Sequence, residues 1–168
     1  PAQMAQYTAN GAFVNLAPYA EKSGVDLSPI KETSLAGVTD ADGAFYGYPT
    51  SGSCWMLFYN KELFDAKGID YPENLTWNEY LDLIKELTGE EDGTKYWGGL
   101  MPIWTPNLGA VAAGEYLDDE SLTRTKEFAQ IQHRMYVDDA SAPGIAEMTS
   151  GTFDIKAYFE AGNIYTMI

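Results

Sequence analysis

Residues 44–60 read Ala44-Phe45-Tyr46-Gly47-Tyr48-Pro49-Thr50-Ser51-Gly52-Ser53-Cys54-Trp55-Met56-Leu57-Phe58-Tyr59-Asn60. Aromatic residues dominate both ends of this stretch, and glycine, proline and short hydroxyl residues break its middle. The pattern predicts a short strand, a turn at Gly47-Tyr48-Pro49, and a longer strand over Cys54 to Tyr59. Near-continuous apolarity in that second strand predicts burial on both faces, with Cys54 inside as a small apolar side chain.

Downstream, the period changes from strand to helix. Lys61 to Lys67 reads as a helix stopped by Gly68. Thr76-Trp77-Asn78-Glu79 is a capping-box pattern, in which the Thr hydroxyl and the Glu carboxylate each satisfy an orphan backbone donor. Trp77, Tyr80, Leu81, Ile84 and Leu87 follow at helical spacing, and Gly89 is expected to close the helix. Glu90 to Lys95 reads as an acidic turn and Tyr96 to Met101 as a buried strand, followed by a loop over Pro102 to Pro106. Helices are expected over 108–116 and 121–136, the latter with Phe128, Ile131 and Met135 on one side. A further helix over 152–161 turns at Gly162 into a terminal strand. Upstream, residues 2–9 read as a short helix closed by Asn10-Gly11. Phe13, Val14, Leu16 and Tyr19 follow as a small apolar cluster, and a polar stretch to Gly43 contains one short helix near Ile30 to Leu35. Strands alternating with helices argue for an α/β layer architecture.

The 168 residues carry 25 acidic and 10 basic side chains, a formal net charge of −15. That charge repels phosphate backbones, so no nucleic-acid partner is expected. One cysteine excludes an internal disulfide framework, and one histidine excludes a multi-histidine metal centre. Glycoside hydrolysis needs two carboxyl groups held a few ångströms apart. Glu115, Asp118, Asp119 and Glu120 offer carboxylates, but in polar runs that read as a solvated cluster, and Asp138-Asp139 receives no role. Asp40-Ala41-Asp42-Gly43 and Glu90-Glu91-Asp92-Gly93 lack the spacing of a calcium loop. Gly98-Gly99 is no phosphate loop, and His133 reads as a residue on a polar helix face. No catalytic residue, metal or cofactor is therefore expected.

The aromatic complement is 12 Tyr, 7 Phe and 4 Trp. Many of these fall near strand ends and loops. Trp55, Trp97 and Trp104 flank segments where an open sheet would form a cleft. Flat rings beside hydroxyl and amide groups suit a polyhydroxylated ligand, whose CH face covers the ring while its hydroxyls take the polar groups.

The string Ala44 to Ser51, then Leu57-Phe58-Tyr59-Asn60-Lys61-Glu62-Leu63-Phe64, then Thr76-Trp77-Asn78-Glu79-Tyr80, resembles the extracellular solute-binding proteins of ABC importers. The resemblance is to the sugar-binding family that includes maltose-binding protein. Tyr7, Gly11 and Leu16 extend the match upstream. Phe159-Glu160-Ala161-Gly162-Asn163-Ile164-Tyr165-Thr166-Met167 extends it downstream, with Ile164-Tyr165-Thr166 where small residues are usual. The resemblance implies part of a two-lobed, periplasmic-binding-protein-like α/β fold, a mixed β-sheet flanked by helices. Residues 1–46 would be the tail of the first lobe, 47–60 a hinge and interlobe crossing strand, and 61–168 the first part of the second lobe. It further implies that the chain is an internal fragment, since members are about twice as long or more.

Site residues carry over position by position. Thr50, Ser51 and Ser53 match the interlobe cleft segment, with Trp55 close after them. Met101-Pro102-Ile103-Trp104 matches a cleft loop, in which Met101 stands where an acid is found and Trp104 would supply a stacking face. The implied function is capture of a sugar or oligosaccharide outside the cell and delivery to ABC permease subunits. The protein would be periplasmic or anchored to the cell surface by a lipid. The intact protein would be monomeric, whereas the 168-residue piece would self-associate through uncovered apolar surface. Two other readings stand beside this one: a secreted carbohydrate-active enzyme using Asp/Glu acid-base chemistry, and a binding protein of the same fold for a non-sugar solute.

Overall fold

The computed structural model describes residues 4–52, 54–101, 103 and 107–168. The chain divides into two compact units, residues 1–54 and residues 55–168.

The first unit holds three short helices, α1 (Met4–Ala9), α2 (Ala17–Lys22) and α3 (Glu32–Ala36). Gly11 follows α1 with φ of +67°, a conformation that costs glycine nothing but strains a residue with a Cβ. Beyond α3 the chain folds back in a tight hairpin, where Thr39 and Phe45 form an isolated antiparallel bridge. Asp40 builds its turn: one carboxylate oxygen accepts the N–H groups of Asp42 and Ala44, and the other accepts the Tyr46 hydroxyl. The Ala44 N–H, with these other donors, holds the Asp40 carboxyl below its ordinary pKa. Among the described residues of this unit, Phe45 is the buried apolar one. Its backbone N–H reaches the Asn15 side chain, and its carbonyl accepts the Leu16 N–H. The apolar cluster expected over Phe13, Val14, Leu16 and Tyr19 is not closed, since Phe13, Val14 and Tyr19 are largely exposed.

The second unit is built around a small mixed sheet. Strand β1 (Phe58–Tyr59) pairs antiparallel with β4 (Thr166–Met167). On the other side of β4, the segment from Trp97 to Leu100 runs parallel to residues 163–168. It is joined by the Trp97–Ile164 bridge and by bonds from Tyr165 N–H to the Trp97 carbonyl, Thr166 N–H to that of Gly98, and Ile168 N–H to that of Leu100. A separate hairpin, β2 (Gly89–Glu91) with β3 (Thr94–Tyr96), turns at Asp92-Gly93. It is tied to an earlier helix by a Lys67–Glu91 ion pair.

That helix, α4 (Lys61–Lys67), is capped by the Asn60 side chain on the N–H groups of Glu62 and Leu63 and ends at Gly68. Helix α5 (Trp77–Leu87) starts on the complete capping box of Thr76 and Glu79. Its buried face, Tyr80, Leu81 and Ile84, meets Met101, Phe128, Met135 and Ala142 in the main core. Phe64, Leu87 and Tyr165 form a second core, and Leu100, Met148 and Ile164 a third. Helix α6 (Leu108–Ala112) precedes α7 (Thr123–His133), whose last turn widens into a π-helical segment over Arg134–Asp138. Helices α8 (Ile145–Met148) and α9 (Ile155–Glu160) lead back to β4.

Several expectations are corrected. The strand expected over Cys54 to Tyr59 is only Phe58–Tyr59, and Cys54, Trp55, Met56 and Phe58 are exposed rather than buried. Phe58 leaves one face of β1 open while Tyr59 is partly covered on the other, so the apolar run lacks the two-sided cover that its composition predicts. Gly89 does not close α5. The helix stops one residue earlier, at an extended Thr88, whose hydroxyl donates to the Ile84 carbonyl and accepts the Gly98 N–H. Glu115 is not solvated: it is buried, and its carboxylate accepts the N–H groups of Arg124 at 2.9 Å and Thr125 at 2.6 Å, in the first turn of α7. Burial opposes its charge, but these donors prevail and hold its pKa below the ordinary glutamate value. Asp139, which received no role, has a side chain only 6% exposed that bonds Lys85 and Arg134.

Candidate functional site

The first unit contains a cavity of about 640 Å³. Three pieces of chain make its wall. Helix α1 presents Tyr7, and the turn at Gly11 brings the Ala12 N–H onto the Tyr7 carbonyl. That return sets Phe13 beside Tyr7, with ring centroids 5.6 Å apart and planes tilted by 45°. Helix α3 contributes Thr33 and Ser34. The hairpin exit contributes Tyr46 and Tyr48, then Thr50 and Ser51. The Tyr46 N–H is fixed to the Val38 carbonyl at 2.9 Å, which seats this segment just past the end of α3.

The chemistry of this wall is narrow. It offers aromatic and aliphatic faces with phenolic and alcoholic hydroxyls, and among its described residues it has no charged side chain. Tyr46 donates its hydroxyl to Asp40, and that bond raises its phenol above the ordinary tyrosine pKa, so it stays neutral. Rings of this kind cover CH faces, and hydroxyls both donate and accept; the wall itself supplies no acid-base pair. Among the described residues no cluster of His, Cys, Asp and Glu could hold a metal ion.

Of the residues expected at a site, Thr50 and Ser51 lie on this wall. Ser53 and Trp104 lie outside the described residues. Trp55 is half exposed at the start of the second unit. Met101 is fully buried, its side chain packed in the main core with Tyr80, Leu81 and Phe128. It offers a ligand no side-chain surface, and the Tyr136 hydroxyl occupies its carbonyl at 2.5 Å. Tyr7, Phe13, Tyr46 and Tyr48 escaped the site assignment. The legible signal was Tyr7 four residues before Gly11, because a helix ended by glycine returns the next aromatic onto its last turn.

Comparison with known proteins agrees with this architecture. Residues 1–164 match the family described as bacterial extracellular solute-binding protein. An arabinooligosaccharide-binding protein of Halalkalibacterium halodurans is 27% identical over 135 residues, covering 75% of this chain and 30% of the relative. An ABC substrate-binding protein of Listeria monocytogenes, solved in complex with cycloalternan, superposes with a TM-score of 0.81 at 26% identity, over 98% of this chain and 44% of that one. A sugar transporter of Rhizobium etli in an open conformation gives a TM-score of 0.75 at 23% identity, over 98% of this chain and 42% of that one, and so shares the fold. The chain thus spans less than half the length of these relatives. On the match across nearly all its residues, with a mixed α/β fold to accompany it, the chain belongs to the bacterial extracellular solute-binding protein family.

Proposed function

We propose that the intact protein is the substrate-binding component of an ABC importer, which captures a neutral sugar or oligosaccharide between two lobes outside the cell and delivers it to the permease. The observation that carries this reading is the uncharged wall of the first unit, where Tyr7, Phe13, Tyr46 and Tyr48 stand among the hydroxyls of Thr33, Ser34, Thr50 and Ser51. A pyranose or furanose ring matches both halves of that wall, whereas a polyamine or a peptide terminus would find no charge to pair with. Relatives named for arabinooligosaccharide and crystallised with cycloalternan support the same class. Thr50, Ser51 and Ser53 act as hydroxyl contacts, and Trp55 and Trp104 as stacking faces. Residues 47–60 serve as the hinge, so that ligand binding draws an open–closed equilibrium toward the closed form.

The protein works in the periplasm or anchored to the outer face of the cell. The 168-residue chain alone self-associates, because Tyr48, Trp55, Met56 and Phe58 are about half exposed. Sedimentation should show species larger than a monomer, and a monodisperse monomer would refute this. Calorimetry of the intact protein against neutral oligosaccharides, uronates, polyamines and peptides tests the ligand class. Saturable binding confined to neutral sugars, without product, is expected; binding to the charged solutes alone would overturn the reading, and release of cleaved sugar would favour the enzyme.

A further inference from the structure

Tyr46 differs from the other rings on the cavity wall in how it is held. Tyr7, Phe13 and Tyr48 are each about half exposed, and the hydroxyls of Tyr7 and Tyr48 have no protein partner among the described residues. Tyr46 is partly buried and anchored at both ends. At one end its N–H donates to the Val38 carbonyl at 2.9 Å, and at the other its hydroxyl donates to Asp40 Oδ2 at 3.0 Å. A side chain fixed in this way has little rotamer freedom left to lose when a ligand arrives.

Asp40 is not itself a wall residue. Its place is set by the hairpin turn, because Oδ1 accepts the N–H of Ala44 at 2.8 Å and that of Asp42 at 3.1 Å. The turn closes through backbone as well: the Asp40 N–H donates to the Ala44 carbonyl, and the Gly43 N–H to the Asp40 carbonyl, with Gly43 at φ of +81°. These bonds immobilise the carboxylate and leave Oδ2 to the Tyr46 hydroxyl. The bond also divides the chemistry of the ring. With its proton given to Asp40, Tyr46 meets a ligand through its ring face or as an acceptor, not as a donor. The Ala44 N–H, above all, holds the Asp40 carboxyl below its ordinary pKa, and the bond to Asp40 holds the Tyr46 phenol above its own. The pair therefore keeps this arrangement across the physiological pH range.

We infer that Asp40 is a positioning residue for the cavity: from the hairpin turn it pins the Tyr46 ring in the wall, so that the surface a sugar ring would cover is formed before the sugar binds. This rests on the sugar-binding reading above, but the clamp itself can be read without ligand. In the intact protein carrying isotope-labelled tyrosine, the ring-carbon NMR signal of Tyr46, assigned by its loss in Tyr46→Phe, should titrate above the ordinary tyrosine value of about 10. In Asp40→Asn, where an amide donor replaces the carboxylate, it should titrate lower. Tyr46→Phe frees the ring and leaves the turn intact. Its affinity for whichever of arabinotriose and maltotriose the wild type binds more tightly should fall about threefold to tenfold, the cost of immobilising one side chain on binding. Its melting temperature should shift no more than that of Tyr71→Phe, which breaks a comparable bond to Asp65 in the other unit. Asp40→Ala should lose at least the same factor in affinity, and the double variant no more than Asp40→Ala alone. Asp40→Asn, whose amide keeps an acceptor for the turn and a donor for the phenol oxygen, should bind within twofold of wild type. A Tyr46 signal that titrates alike in wild type and Asp40→Asn overturns the clamp. Losses that add in the double variant, or a Tyr46→Phe affinity within twofold of wild type, overturn its part in recognition. A wild type that binds neither sugar refutes the sugar reading instead, and the Tyr46 titration still decides whether Asp40 holds the ring.

Discussion

Gly98→Ala is expected to be among the most damaging single-methyl additions to this chain. Gly98 lies where the central segment of the sheet crosses α5, and a Cβ there would sit 1.9 Å from the Ile84 carbonyl oxygen and 2.4 Å from its carbonyl carbon. The obstacle is helix backbone, so no side-chain rotation relieves it. Restoring van der Waals contact moves one element by roughly 1 Å. That displacement pulls on bonds centred on this residue: its N–H to the Thr88 hydroxyl at 2.8 Å, and its carbonyl to the Thr166 N–H at 3.0 Å and hydroxyl at 2.6 Å. Thr166 is fully buried and water cannot replace what it loses. Overpacking costs about 1–3 kcal/mol. An unsatisfied buried group adds about 1–3 kcal/mol. The expected loss is therefore about 4 kcal/mol, a large share of the ~5–15 kcal/mol that holds a domain together. At about 2 kcal/mol per molar urea, the unfolding midpoint should fall by about 2 M. Gly151→Ala is the control, since a Cβ there meets nothing within 4 Å and should change stability by less than about 0.5 kcal/mol. Equal midpoints for the two variants would refute the close approach of the sheet to α5.

Two further predictions concern the end of α7. Asp139→Asn removes a carboxylate that is 6% exposed and bonds Lys85 Nζ at 2.7 Å and Arg134 Nε at 2.8 Å. Because Lys85 is 60% and Arg134 29% exposed, water screens part of the loss, and about 2 kcal/mol is expected rather than the ~3–5 kcal/mol of a fully buried pair. The Lys85 bond, opposed by burial and aided by Arg134, holds the Asp139 pKa below its ordinary value. Its stabilisation is thus complete above the unfolded value of about 4 and disappears as pH falls through the lower folded value. Urea midpoints of wild type and variant should differ by a constant amount above about pH 5 and converge in more acidic buffer; a gap unchanged in acid would contradict the assignment. Ala140→Gly should stabilise by up to about 1 kcal/mol, since Ala140 has φ of +44°, which disfavours a residue with a Cβ. A lowered melting temperature would refute that.

What could be read ahead of the structure follows the range of the interactions involved. The caps of α4 and α5 need residues at most four apart, Asn60 with Leu63 and Thr76 with Glu79, and both elements are where their patterns place them. The family resemblance survived because it rests on such strings. Pairing across long separations was invisible. Nothing near Glu115 announces that its carboxylate caps a helix nine residues later, and nothing near Asp139 announces Lys85, more than fifty residues upstream. The apolar run at Cys54 to Tyr59 misled for a related reason: composition reports what a strand could bury, whereas neighbours decide what it does bury. Thr50 and Ser51 line the cavity of the first unit, and hydroxyls beside the turn at Pro49 are legible locally. Tyr7 and Phe13 joined them only through the fold. The π-helical turn has no sequence signature of its own, since its register is set by what Met135 and Tyr136 pack against.

Capture of neutral sugars by the intact protein, as proposed, can be measured by titrating it calorimetrically with arabinooligosaccharides and cyclic or linear glucose oligosaccharides while the solution is sampled for cleavage products. Saturable binding of at least one neutral sugar at one site per molecule is expected, with the sugar recovered intact. Absence of binding across that panel, or recovery of shortened sugar, would contradict it.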